Sequence, residues 1–239
     1  MRRFLSNSAV AVLNNCGVWW HKRLIAPCLL CGASATDSNI CAGCRADLPW
    51  LDANVCSSCA HPLPAPGLCG RCIAEPPHFD TVIAACRYAF PVDGLIQAYK
   101  YNGRLVAGAA LASLLAVRVQ QRPDLIVPVP LTAQRLRERG FNQALELAHA
   151  LGQQMEAPVH AHLCVKTRDT APQTRLPWKQ RRKNIRGAFV VEGGVAGRHV
   201  AVVDDVLTTG ATLSELARNL KRAGAATVTG YVIARTVGR

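Results

Sequence analysis

Apolar positions change their spacing several times along the second part of the chain. Val200-Ala201-Val202-Val203 are four successive apolar residues. Such a run predicts a strand buried on both faces, and hence a parallel sheet. Leu213, Leu216, Ala217 and Leu220 then recur at helical spacing. Gly224 supplies a helix stop, and Thr227 to Ile233 reads as the next strand. This is a strand-helix-strand unit, and its loop lies at the carboxyl end of a strand, where open sheets bind ligands. A further strand is expected over Leu125 to Pro130. The helix after it shows one face through Ala144, Leu147, Ala148, Leu151 and Met155. The fold class expected is α/β, with a parallel sheet and helices on both faces.

The longest strongly apolar run, Leu105 to Val117, has thirteen residues; a spanning helix needs roughly 18–20. No membrane span is expected. Met1-Arg2-Arg3 and the stretch from Phe4 to Trp20 superficially resemble an export signal. Asn7, Asn14 and Asn15 interrupt it, however, and no small-residue cleavage site follows. A cytoplasmic protein is expected, with residues 1–26 as an N-terminal segment.

Of the 239 residues, 50% are hydrophobic and 18% charged, enough apolar surface for a real core and too much for global disorder. The net charge of +13 is unevenly spread. Residues 1–80 carry six Lys/Arg against five Asp/Glu, and residues 81–239 carry 22 against 10. Anionic partners therefore meet the second part more favourably. The densest stretch, Lys166 to Arg186, holds Lys166, Arg168, Arg175, Lys179, Arg181, Arg182, Lys183 and Arg186, opposed only by Asp169. Pro172, Pro177 and Gly187 mark much of it as loop, and a basic loop commonly serves an anionic ligand.

Eight of the eleven cysteines form four CxxC pairs: Cys28/Cys31, Cys41/Cys44, Cys56/Cys59 and Cys69/Cys72. Nine residues separate the first two pairs, nine separate the last two, and eleven join the repeats. A CxxC turn places two sulfurs on one metal ion. Two such knuckles complete a tetrahedral four-thiolate shell for Zn2+, which is closed and structural. A disulfide framework needs an oxidising compartment. A redox motif would be a single CxxC at a strand-to-helix turn. The expectation is two structural zinc sites, either sequential or built from interleaved pairs. Cys16, Cys86 and Cys164 read as buried small apolar residues or free thiols. So small a segment needs metal to fold.

The segment Asp204-Asp205-Val206-Leu207-Thr208-Thr209-Gly210-Ala211-Thr212 carries the most specific chemistry. Backbone N–H groups of Thr209 to Thr212, at the start of a helix, suit a phosphate. Gly210 admits close backbone approach, and Thr208, Thr209 and Thr212 add hydroxyls. Asp204 and Asp205 can hold sugar hydroxyls directly or through hydrated Mg2+. The alternative, a Walker B strand, lacks its partner: none of the eighteen glycines is followed by lysine.

This segment closely resembles the phosphoribosyl-pyrophosphate (PRPP) signature of type I phosphoribosyltransferases. The resemblance implies ribose contacts by Asp204 and Asp205 and 5′-phosphate contacts by Thr208, Thr209, Gly210, Ala211 and Thr212. In that fold the loop after the Leu125–Pro130 strand holds pyrophosphate, a role suited to Arg135, Arg137 and Arg139. Further matches are Tyr99-Lys100-Tyr101-Asn102-Gly103-Arg104, the run from Pro128 to Gln143, and Arg168-Asp169-Thr170, Gln173, Arg182 and Asn184. Together with the four CxxC pairs, these resemble the ComF/GntX family of competence and DNA-utilisation proteins. The resemblance implies a double zinc ribbon over residues 27–78 and a type I phosphoribosyltransferase-like domain over 79–239. It also implies PRPP with Mg2+ as ligand, and a flexible loop carrying Arg168, Thr170, Gln173, Arg182 and Asn184 that closes over the site. Lys100, Arg135 and Arg137 would meet pyrophosphate.

Two function classes remain. In a phosphoribosyl transfer, Mg2+ and cationic side chains would stabilise departing pyrophosphate while Asp204 and Asp205 stabilise an oxocarbenium-like ribosyl group. Glutamine amidotransfer is not expected: Met1 is followed by Arg2, and the first domain is a cysteine module rather than a glutaminase. The alternative class is binding of single-stranded DNA, or of a DNA-uptake helicase or recombination protein, with Tyr99, Tyr101 and Trp178 as stacking candidates.

Overall fold

The computed structural model describes residues 26–35, 39–101, 105–168 and 183–237. The chain divides into two compact units, with the boundary between Ala46 and Asp47. Residues 1–25 of the expected N-terminal segment lie outside the described residues.

In the first unit, β1 (Ala26–Pro27) pairs antiparallel with β2 (Ser34–Ala35), followed by a five-residue helix, α1 (Ala42–Ala46), with no buried residue. The turn between the strands is closed by the Cys28 N–H on the Ala33 carbonyl at 2.7 Å. Strands and helices this short do not stand alone in water.

The second unit is built on a four-stranded parallel sheet in the order β3-β8-β7-β4. Its strands are β3 (Thr81–Arg87), β4 (Leu125–Pro128), β7 (His199–Leu207) and β8 (Thr227–Arg235). The central strand β7 runs past its apolar core, through Asp204 and Asp205, to Leu207. Pairing with β8 holds that extension, with Leu207 opposite Arg235. The two acids thus stand in the strand rather than in the loop beyond it.

Alternation divides the sheet into two buried faces. Leu125, Val127, Val200, Val202, Val228 and Val232 share one core with Leu213, Leu216, Ala217 and Leu220 of the helix Ala211–Arg222. The helices Leu105–Ala116 and Gln143–Met155 pack together on the opposite face. Leu105–Ala116 accounts for the long apolar run: it is apolar nearly all round and mostly buried, with Val106 and Ala109 left exposed. Gly108 lets it approach Tyr99, whose ring lies 2.7 Å from where a Cβ would stand.

Both sheet edges are covered. Trp50 bridges Cys86 antiparallel at the outer edge of β3, backed by the Leu51 N–H on Ala85 and the Arg87 N–H on Pro49. Val159 bridges Ile126 at β4. A separate antiparallel ribbon pairs β5 (Cys164–Lys166) with β6 (Phe189–Val191). Cys56, Cys59, Cys69 and Cys72 belong to the same buried core as Val82, Val200 and Leu213. Cys86 and Cys164 are buried, as expected for small apolar residues. Among the described residues, no helix is long and apolar enough to cross a membrane.

Candidate functional site

The eight cysteines gather into two sets, Cys28/Cys31/Cys41/Cys44 and Cys56/Cys59/Cys69/Cys72, with the sulfurs of each set within 4.8 Å of one another. The pairing is sequential, which removes the interleaved alternative. Cys31 and Cys41 Sγ lie 3.7 Å apart, as do Cys59 and Cys69 Sγ. A tetrahedron with Zn–S bonds of about 2.3 Å has edges of about 3.8 Å. The donor set therefore fits Zn2+ in both places. Backbone N–H groups support the thiolates: Cys41 N donates to Cys28 Sγ at 3.4 Å, and Cys69 N to Cys56 Sγ at 3.3 Å. Burial pushes the Cys56 thiol up, but N–H groups of Cys59, Cys69 and Ser58 outweigh it and bring the thiol down to about 6. Cys72, by contrast, is pushed up by burial and by its Cys59 neighbour. A divalent cation relieves that crowding of thiolates.

The second cluster adjoins the loop after β7. Gly210, at φ +77°, takes the left-handed turn that starts the helix Ala211–Arg222. The Thr209 hydroxyl accepts the Ala211 N–H at 3.3 Å. The N-terminus expected to receive a phosphate is therefore partly capped by its own threonine. Thr208, Thr209, Arg71, His61, Cys69 and Arg235 line part of a cleft of about 440 Å³. A cavity of about 40 Å³ lies between Cys59, Arg71 and Cys72 on one side and Thr209, Gly210 and Ala211 on the other.

At the neighbouring acids, Lys100 Nζ pairs with Asp205 at 2.7 Å. The Asp205 N–H donates to Asp204 Oδ1 at 2.9 Å. Burial and the adjacent Asp205 carboxylate push the Asp204 carboxyl up to about 7, against the pull of the Asp205 N–H, Lys100 and Arg139. Two carboxylates sharing one partly dehydrated place cannot both ionise freely, a tension that a divalent cation or ribose hydroxyls would relieve.

The other expected residues divide. Lys100, expected at pyrophosphate, pairs with Asp205, to which its helix Val92–Tyr101 delivers it. Arg135 pairs with Glu138 at 3.4 Å, and Arg137 is exposed on the same short helix, Ala133–Arg139. Arg139 bonds Gln143 at 3.1 Å and acts electrostatically on Asp204. Spacing signals this: residues 135 and 139 are four apart and share a face that 137 does not. Arg168 bonds the carbonyls of Asn184 and Arg186 at 3.1 and 2.9 Å, tying together the two ends of the basic segment. Thr170, Gln173, Arg182 and Trp178 lie outside the described residues. Tyr99 is fully buried, its hydroxyl on the Gln143 carbonyl at 2.8 Å, so it offers no face to a base. Arg235 and Arg71 were not singled out by any motif. Arg235 ends a strand and Arg71 sits within a CxxC, where neither spacing nor charge clustering points to them.

Residues 24–73 match the double zinc ribbon domain family and residues 137–237 the phosphoribosyl transferase domain family. Over 219 residues the chain is 37% identical to the DNA utilization protein YhgH of Escherichia coli O157:H7, covering 88% of this chain and 90% of that one. Competence protein F of Haemophilus influenzae is 34% identical over 178 residues, 70% of this chain and 78% of that one. The chain belongs to the ComF family. Among solved structures, glutamine PRPP amidotransferase from B. subtilis aligns with a TM-score of 0.41 at 21% identity, covering 57% of this chain and 30% of that one. In this ComF family member, the two cysteine clusters fit a double zinc ribbon binding Zn2+, and the parallel sheet with its loop after β7 belongs to the phosphoribosyltransferase-like domain.

Proposed function

We propose that this ComF family chain binds PRPP, or a related 5-phosphorylated pentose, together with Mg2+, and serves DNA uptake or utilisation in the cytoplasm. The observation that carries the reading is the Thr208–Thr212 turn, which begins a helix at the end of the central strand with Asp204 and Asp205 just before it. A 5′-phosphate would take over the Ala211 N–H from Thr209 and lie at the positive end of the helix. The ribose diol would reach the acid pair, and Lys100 would give up Asp205 to receive it. Mg2+, when bound, neutralises phosphate charge and orients the diol; Asp204 and Asp205 are the residues that would hold it. Arg139, Arg135 and Arg137 supply cations on the next helix for a diphosphate.

Calorimetric titration with PRPP and Mg2+ tests this reading. Saturable one-site binding is expected, with the Mg2+-dependent part lost in Asp204→Asn with Asp205→Asn. Because burial and Asp205 push the Asp204 carboxyl up to about 7, so that it ionises across this range, affinity should rise as pH goes from 6 to 8. Absence of any saturable signal with PRPP or ribose 5-phosphate overturns the proposal.

A second observation favours a nucleic-acid strand as an additional ligand. Lys183, Arg186, Arg218 and His78 line a cleft of about 310 Å³ that reaches Ala211 and Ser214. The relatives' names, concerning DNA utilization and competence, agree with such a ligand. Binding of a short single strand should weaken steeply from 50 to 200 mM salt and fall when Lys183 and Arg186 are changed to Ala. It should survive Asp204→Ala with Asp205→Ala. Salt-independent affinity overturns this second reading.

A further inference from the structure

Arg235 lies at the end of β8, is 2% exposed, and spans two places that sequence alone leaves separate. Its Nε donates to the Cys59 carbonyl at 3.0 Å, within the second cysteine cluster. Its Nη1 donates to the carbonyls of Leu207 at 3.0 Å and Thr208 at 2.6 Å, where the strand turns into the threonine loop. The Thr236 carbonyl at 2.7 Å takes a further bond from the same nitrogen. A buried guanidinium is retained only when its donors are satisfied, and here one acceptor belongs to the cluster, two lie where the strand enters the loop, and Thr236 supplies the rest. Cys59 is itself one of the four cluster sulfurs, so the carbonyl that meets Arg235 belongs to a residue that a bound metal would anchor. Arg71 reinforces the seam: its Nη2 lies 3.8 Å from Cys59 Sγ, and it shares cavity walls with Thr208 and Thr209. The Leu207 carbonyl also accepts the Thr236 N–H at 3.0 Å and the Thr236 hydroxyl at 3.3 Å; Arg235 adds its bonds to the Leu207 and Thr208 carbonyls and carries them across to Cys59.

We infer that Arg235 is a positioning residue through which the second cysteine cluster holds the Thr208–Thr212 loop in its phosphate-binding shape, so that metal retention at that cluster and binding of a 5-phosphorylated pentose are thermodynamically linked. The inference rests on the phosphate reading of the loop. The linkage is reciprocal: what the cluster lends the loop, an occupied loop returns to the cluster. The first cluster belongs to the other compact unit and serves as an internal reference.

The test uses the full zinc-loaded chain in a chelator-buffered zinc series, with and without saturating ribose 5-phosphate. Pulsed cysteine alkylation followed by mass spectrometry reads each cluster separately. Apparent zinc affinity at Cys56/Cys59/Cys69/Cys72 should tighten by about fivefold or more on ligand addition, the lower end of typical coupling between sites. Affinity at Cys28/Cys31/Cys41/Cys44 should not move. In Arg235→Met the ligand-induced shift should fall to none, whatever the variant's stability, and Arg235→Lys should restore part of it. A variant that merely loosens the fold lowers zinc affinity equally with and without ligand, leaving the shift intact. If Arg235→Met does not fold, the wild-type shift and the partial shift in Arg235→Lys decide the matter. Ligand binding seen by calorimetry without any shift at the second cluster overturns the linkage alone. A full shift persisting in Arg235→Met overturns the role of Arg235. No binding of ribose 5-phosphate or PRPP overturns the phosphate reading and this inference with it.

Discussion

The two cysteine clusters have the same internal construction and different surroundings. Spacing is identical, the matching Sγ–Sγ distance is 3.7 Å in both, and the same backbone N–H supports the first thiolate of each. Yet Cys28 is the only buried ligand of the first cluster, whereas all four of the second are buried. Among the described residues, the first cluster stands with two-residue strands and one short helix. The second shares a core with the central sheet and the helix after the threonine loop. A repeated motif thus supplies a largely exposed cluster in a small unit once and a part of a larger buried core the second time.

The largest expected effect comes from breaking each cluster in turn. Cys59→Ser removes a ligand and leaves a polar group in the core of the second unit. Zinc contributes about 10–16 kcal/mol to isolated zinc modules, comparable to the whole stability of a domain, about 5–15 kcal/mol. Loss of the cooperative thermal transition of the sheet is therefore expected. Cys31→Ser, at an exposed ligand, should abolish protection in residues 26–46 and leave that transition in place. Hydrogen exchange resolves the two units. Equal damage from both substitutions would erase the distinction drawn between the clusters.

Gly230→Ala probes the same core without touching metal. A Cβ there would lie 2.3 Å from Leu213 Cδ2 and 3.1 Å from Val82 Cγ2, both on the face shared with the second cluster. Overpacking of this kind costs about 1–3 kcal/mol. The expected outcome is a lowered melting temperature for the second unit, with metal affinity of the first cluster unchanged in the chelator series.

Gly210→Ala should act more on ligand binding than on stability. Its φ of +77° is unfavourable for alanine by about 1–2 kcal/mol. The Phe79 ring, 3.5 Å from the new methyl, leaves room for it. Weaker ribose 5-phosphate binding by calorimetry, with both zinc ions retained, is the expected result; unchanged affinity would separate the loop's shape from its proposed work.

Much of this was legible in the chain because the signals are local. The apolar run of β7, the helical spacing of Leu213 to Leu220 and the fourfold CxxC each depend on near neighbours, and the elements stand where those patterns put them. The differing environments of the clusters were not legible, since identical spacing encodes identical knuckles and says nothing of what packs on them. Arg235 was hidden for a related reason: its partners are carbonyls at Cys59 and Leu207, 176 and 28 residues away. Backbone acceptors leave no trace in side-chain pattern. Lys100 was legible as a cation near the site but not as the partner of Asp205, because the approach of its helix to β7 is set by packing around Tyr99 and Gly108.

The smallest effect concerns acid. Asp80 receives the Val228 N–H at 2.7 Å and pairs with Lys221 at 2.8 Å, joining the start of β8 to the helix before it. Burial pushes its carboxyl up, but Lys221 and the Val228 N–H outweigh that and hold it below the usual carboxylate range. A carboxyl depressed on folding contributes stability above its unfolded value, and the contribution is lost as pH falls through the folded value. The Asp80 side chain is 45% exposed, so solvent screening limits the pair to about 0.2–1 kcal/mol. Asp80→Asn should therefore be slightly less stable than wild type at pH 7, with the difference closing below about pH 4. Acid also protonates thiolates and releases zinc, but it does so in both proteins. The difference between them in denaturant unfolding at each pH isolates the carboxylate, and a gap that stays constant into acid would assign the effect to lost hydrogen bonding instead of charge.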